Sequence, residues 1–112
     1  MELTYYNERG VAIIALRGEL DATHHADVQQ VVERLVAEGQ IHFVMDLTHV
    51  EFIDSAGLVM LVRCLKQIRS HEGDIYLASL QPEVRCVLKL TRLDQVFESF
   101  VDVITAVQRF TR

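Results

Sequence analysis

Apolar positions recur along this chain in two rhythms, one of strands and one of helices, and the two trade places repeatedly. Residues 3–6 read as a short strand, and residues 7–10 turn the chain into a second run at 11–17. That run is apolar almost throughout, as expected of a strand covered on both faces. Between residues 24 and 38, Val28, Val31, Val32, Leu35 and Val36 follow helical spacing, and Gly39 supplies the stop. Residues 41–47 give a third strand centred on Phe43, Val44 and Met45.

A second long helix is predicted from about Ser55 to Ser70, ending before Gly73. Its expected core stripe is Leu58, Leu61, Val62, Leu65 and Ile68. Residues 75–79 form a fourth strand. Pro82 then opens a short helix with Val84, Val87 and Leu88 facing inward. Val103, Ile104, Val107 and Phe110 mark a C-terminal helix, with a brief strand near Phe97 before it. The order β-β-α-β-α-β-α-α predicts one α/β domain over residues 1–112, a single-layer mixed sheet packed with about four helices.

Composition narrows the function classes. A chain of 112 residues supports one core and not two. Half of the residues are hydrophobic and about a quarter charged, the profile of a soluble globular protein. The net charge is −5 and the 11 Lys and Arg residues are scattered among acids, which argues against nucleic acid as a ligand. The apolar runs at 11–16 and 58–62 are far shorter than the ~20 residues that span a bilayer. No basic start followed by an apolar segment is seen at Glu2, so a cytoplasmic protein with no membrane association is expected. Cys64 and Cys86 both fall in helical segments and read as small core residues. His24, His25, His42, His49 and His71 lack ligand spacing, and adjacent helical histidines point about 100° apart, so no metal or cofactor is expected.

The segment Phe52-Ile53-Asp54-Ser55-Ala56-Gly57-Leu58 follows the third strand. Open α/β sheets place ligand and partner sites at the carboxyl ends of their strands. Ser55 lies where the helix begins, so a phosphate on it would meet unpaired N–H groups and the positive end of the helix dipole. The plainer reading is that Ser55, or Asp54, merely caps the helix. A second loop, Gly18-Glu19-Leu20-Asp21, leads into the first long helix, with Asp21 or Thr23 as ordinary caps. A serine hydrolase is disfavoured, because Ile53 stands where a nucleophile elbow needs glycine and no orienting acid pairs with a histidine.

Taken together, Gly18-Glu19-Leu20-Asp21, Asp46-Leu47 and Ile53-Asp54-Ser55-Ala56-Gly57-Leu58 resemble the STAS domain of bacterial anti-sigma-factor antagonists. The resemblance continues through Glu83-Val84-Arg85 to Leu88, Thr91-Arg92-Leu93-Asp94 and Val96-Phe97, and so covers nearly the whole chain. It implies a partner-switching module without enzymatic activity. The unphosphorylated form would bind an anti-sigma factor serine kinase and release the sigma factor; phosphorylation of Ser55 would end that binding, and a PP2C-like phosphatase would restore it. Glu19, Leu20, Asp21, Thr23, Asp54, Ser55, Ala56, Gly57, Leu58 and Val59 would form the docking face of a monomer. Three departures lie near this face: Ala56 where a second hydroxyl is frequent, Val59 in place of a frequent glycine, and His24-His25 where small residues are common. The alternative within the same fold is an interaction protein that is never phosphorylated, a signalling scaffold or a lipid-transport accessory subunit.

Overall fold

Strand pairing carries the chain further into the sheet than the sequence pattern alone predicts. The computed structural model describes residues 2–111 and, of His25, the backbone alone. Its strands are β1 (Glu2–Glu8), β2 (Val11–Leu20), β3 (His42–Ile53), β4 (Asp74–Ala78) and β5 (Ser99–Phe100). The helices are α1 (His25–Ala37), α2 (Ser55–Ser70), α3 (Pro82–Leu90) and α4 (Val103–Thr111), with a 3₁₀ turn at Leu93–Gln95. The sheet order is β1-β2-β3-β4-β5; β1 runs antiparallel to β2 and the other neighbours are parallel. This is the mixed α/β architecture expected.

The doubly covered character of β2 follows from two cores. Ala12, Ile14 and Leu16 join the larger one, beneath α1, α2 and α3; Val11 and Ile13 join a smaller one beneath α4. Each set lies on one side of the pleat, as a period of two requires. In the smaller core Phe110 stacks on both His42 and Tyr76, at ring-centroid distances of 4.7 and 4.1 Å.

Four local expectations change. β3 does not stop near Leu47 but continues to Ile53, its partner β2 running on to Leu20 with bulges on the way. Val50 and Ile53, buried in the larger core, anchor this extension and outweigh the polar Thr48, His49 and Glu51 between them. Gly18, expected in a loop, lies within β2 at φ +116°, a value few side chains tolerate. On α2 the buried stripe is Met60, Leu61, Cys64, Leu65 and Ile68, whereas Leu58 and Val62 are only half-buried. Finally, Cys86 is exposed on α3, while Cys64 is buried and its thiol is pushed up to about 12, chiefly by desolvation and then by the charge of Glu33.

Candidate functional site

The junction between β3 and α2 is one residue long, and Asp54 does three jobs there. Its N–H donates to the Leu20 carbonyl at 3.2 Å, which ties the end of β3 to the end of β2. One carboxylate oxygen accepts the Gly57 N–H at 2.9 Å, and the other accepts the Ala22 N–H at 3.2 Å. The backbone of Asp54 is extended, at φ −102° and ψ −175°, so Asp54 is the N-cap and Ser55 the first helical residue. The capping duty that could have explained the Ser55 hydroxyl therefore belongs to its neighbour. Ser55 is exposed, and its own N–H and that of Ala56 belong to the first turn, where no carbonyl of the helix can accept them.

Asp54→Ala would remove the cap and the bridge to Ala22 together. We expect a loss of roughly 2 kcal/mol and a fall in Tm of about 8 °C in a thermal melt. A change under about 0.5 kcal/mol would mean that the first turn holds without the carboxylate.

The turn after β2 is built around Asp21. One of its carboxylate oxygens accepts the Thr23 N–H at 3.0 Å and the His24 N–H at 3.1 Å, and lies 2.9 Å from the His24 Nδ1. Desolvation pushes the Asp21 carboxyl upward, but the Thr23 bond, both His24 bonds and the His24 charge outweigh it and hold it below the ordinary carboxylate range. A lowered folded-state value means stability that is complete above the unfolded value and is lost as pH falls through the folded one. The side-chain carboxyl carbon resonance of Asp21 should therefore titrate with a midpoint below the ordinary value of about 3.9. A midpoint above that would reverse the sign. Neither Asp21 nor Thr23 caps α1, whose N-cap position is His24, with no side-chain bond.

Of the residues expected at a docking face, Glu19, Thr23, Ser55 and Val59 are exposed, and Asp21, Asp54, Ala56 and Leu58 partly so. Leu20 and Gly57 are corrections, because both are buried where exposed residues were expected. Leu20 plugs the core at the end of β2, and Gly57 lets α2 approach it: a Cβ on Gly57 would lie 2.4 Å from the Leu20 carbonyl oxygen. The β2–α1 turn and the start of α2 thus share one edge of the sheet, joined by backbone and carboxylate bonds.

Along the outer face of α2 two shallow depressions continue from Ser55. One, of about 250 Å³, is lined by Ser55, Ala56, Val59, Met60 and Arg63. The other, of about 280 Å³, is lined by Leu58, Val59, Val62, Arg63, Lys66 and Leu93. Val59 and Arg63 border both. Ala22, between Asp21 and Thr23, and Leu93, within Thr91-Arg92-Leu93-Asp94, were not legible from sequence as parts of this region, since only the tertiary fold brings the Ala22 N–H to Asp54 and Leu93 to α2. Among the described residues no group of three or more His, Cys, Asp or Glu side chains is arranged to hold a metal. Among the same residues no helix is long and apolar enough to cross a membrane.

A family model described as the STAS domain matches residues 2–106. The anti-sigma F factor antagonist of Paenibacillus polymyxa is 27% identical over 95% of this chain and 92% of its own length. A STAS-domain containing protein of Pseudomonas aeruginosa is 32% identical over 76% of this chain and 83% of its own. The crystal structure of TM1081 from Thermotoga maritima is similar with a TM-score of 0.92 at 28% identity, over 98% of this chain and 95% of that one.

Proposed function

The chain belongs to the STAS domain family, and on that premise we propose that it acts as an anti-sigma factor antagonist, a binding module switched by phosphorylation of Ser55. Unphosphorylated, it docks on an anti-sigma factor with serine-kinase activity and so releases a sigma factor. Phosphorylated, it no longer docks until a PP2C-like phosphatase removes the group. The observation that carries this reading is the division of labour at the start of α2: Asp54 caps the helix and leaves the Ser55 hydroxyl exposed at its positive end. The names of the relatives, antagonists of anti-sigma factors among them, support the same class.

Incubation with an anti-sigma factor kinase and ATP, read by intact mass, tests it. A single phosphoryl addition is expected, absent in Ser55→Ala. An unmodified protein, or modification that survives Ser55→Ala, defeats the reading.

The docking face we propose comprises Glu19, Asp21 and Thr23 from the first turn, with Asp54, Ser55, Ala56, Leu58 and Val59 from the second. Val59 is 49% exposed one turn beyond Ser55, an apolar group with no fold-level task. Val59→Asp should weaken kinase binding by at least tenfold in a calorimetric titration, the size of a buried interface contact turned into an unpaired charge. Its Tm should stay within about 3 °C of the parent, since exposed positions cost about 0.5 kcal/mol or less. A large loss of stability would make Val59 a packing residue instead.

A further inference from the structure

In a chain of net charge −5, helix α2 has the sequence SAGLVMLVRCLKQIRS, with three cations and no acid. First turns of helices ordinarily attract acidic side chains, because the dipole favours them; here the first turn has none. Of the cations, Arg69 is 3.4 Å from Asp74, and Arg63 has no ion-pair partner among the described residues. The positions where helical neighbours meet Arg63, three and four residues away, hold Met60, Val59, Lys66 and Gln67, so no carboxylate on its own helix can claim it. Arg63 and Ser55 line the same depression, with Val59 and Met60 between them.

We propose that Arg63 is the counterion of the phosphorylated acceptor: its guanidinium lies back over Val59 and holds the phosphoryl group of residue 55 against α2. The proposal rests on Ser55 as the phosphoacceptor. In the transfer that creates the group, the Ser55 Oγ–P bond forms as the terminal P–O bond of a nucleoside triphosphate breaks; the diphosphate departs and the hydroxyl proton passes to a base of the kinase. Eight residues separate the two, about 12 Å of rise and about 80° of rotation around the helix. A long side chain on a helix leans toward the N-terminus, so Arg63 reaches back past Val59 into the depression that Ser55 also lines. Its planar fork suits phosphate bidentately, which the compact ammonium of lysine does not. Held there, the phosphoryl group covers Val59 as well as bringing charge, so one modification both charges the docking face and masks its apolar contact.

The test needs no kinase, and so separates this idea from the identity of the enzyme that modifies Ser55. Phosphoserine is installed genetically at position 55 and the second phosphate ionisation is followed by ³¹P NMR in the wild-type background, Arg63→Gln, Arg63→Lys and Lys66→Gln. Asp54, Asp21 and His24 are common to all four proteins, so differences isolate the cation. The midpoint should lie below the ordinary value near 6 and rise by about half a pH unit in Arg63→Gln. Arg63→Lys should fall between, and Lys66→Gln should match the wild type. Equal midpoints in Arg63→Gln and wild type would overturn the proposal, as would an equal rise in Lys66→Gln, which would indicate a diffuse field. Should Arg63→Gln fold poorly, the Arg63 Nε–H resonance of the wild-type background must shift with the phosphate titration; a stationary signal overturns it too.

Discussion

Gly57→Ala is expected to destabilise the domain by about 3 kcal/mol or more, the largest single-methyl effect at this site. The added Cβ would sit 2.4 Å from the Leu20 carbonyl oxygen, 3.1 Å from its carbon and 2.9 Å from the Ile53 side chain. None of these can give way cheaply. The Leu20 carbonyl accepts the Asp54 N–H, its side chain is buried, and Leu20 pairs with Ile53 across β2 and β3. Alanine gains roughly 1 kcal/mol of helix propensity over glycine, which is too little to offset a clash with fixed backbone. The relief available is a shift of the first turn of α2 away from β2, and that turn carries Asp54 and Ser55. Urea unfolding should report the loss, with kinase binding lost alongside it. Gly73→Ala is the comparison: its Cβ would lie 2.0 Å from the Ile41 carbonyl oxygen, at the far end of α2. It should cost comparable stability while leaving the affinity of the folded fraction unchanged. A Gly57→Ala protein within 1 kcal/mol of the parent would show that α2 can move freely, contrary to the close packing drawn above.

How much of this was legible in the sequence depends on how local each decision is. The start of β2 at Val11, the start of α2 at Ser55 and the Asp54-Ser55-Ala56-Gly57-Leu58 element follow from local pattern, and each stands in the structure where the pattern places it. The overrun of β3 does not, because Thr48, His49 and Glu51 look like a loop until β2 is placed beside them. The identity of the cap was open for the same reason. Asp54 and Ser55 are equally good capping residues one position apart, and the tie is broken by the Leu20 carbonyl and the Ala22 N–H, both distant in sequence. Leu20 and Gly57 sit within motifs that suggest contact, yet packing turns both inward. On α2 the stripe was displaced toward Met60 and Cys64, since two neighbours, α1 and the sheet, share the helix. In each case the missing information was tertiary.

Phosphorylation of Ser55 should weaken kinase binding by roughly a thousandfold while moving Tm by only a few degrees. The group adds about −1.5 to −2 charges at neutral pH. Within the free protein those charges meet Arg63 and the open end of α2, the latter worth roughly 0.3–1 kcal/mol in their favour, against the nearby carboxylates of Asp54 and Asp21. The two influences oppose each other at an exposed position, so neither can refold the domain. In the complex the balance is different. A dianion pressed into an interface must shed its water, and an uncompensated buried charge costs roughly 2–5 kcal/mol or more. Driving a complex from 99:1 to 1:99 requires about 5.5 kcal/mol, which blockade of the docking face can approach and a dipole effect cannot. Calorimetric titration of the phosphorylated and unphosphorylated forms, paired with thermal melts of each, separates the two routes. Lost affinity with an intact melt places the switch at the surface; a fall in Tm of 10 °C or more alongside it would move the switch into the fold, where Asp54, and not the phosphate, holds the first turn.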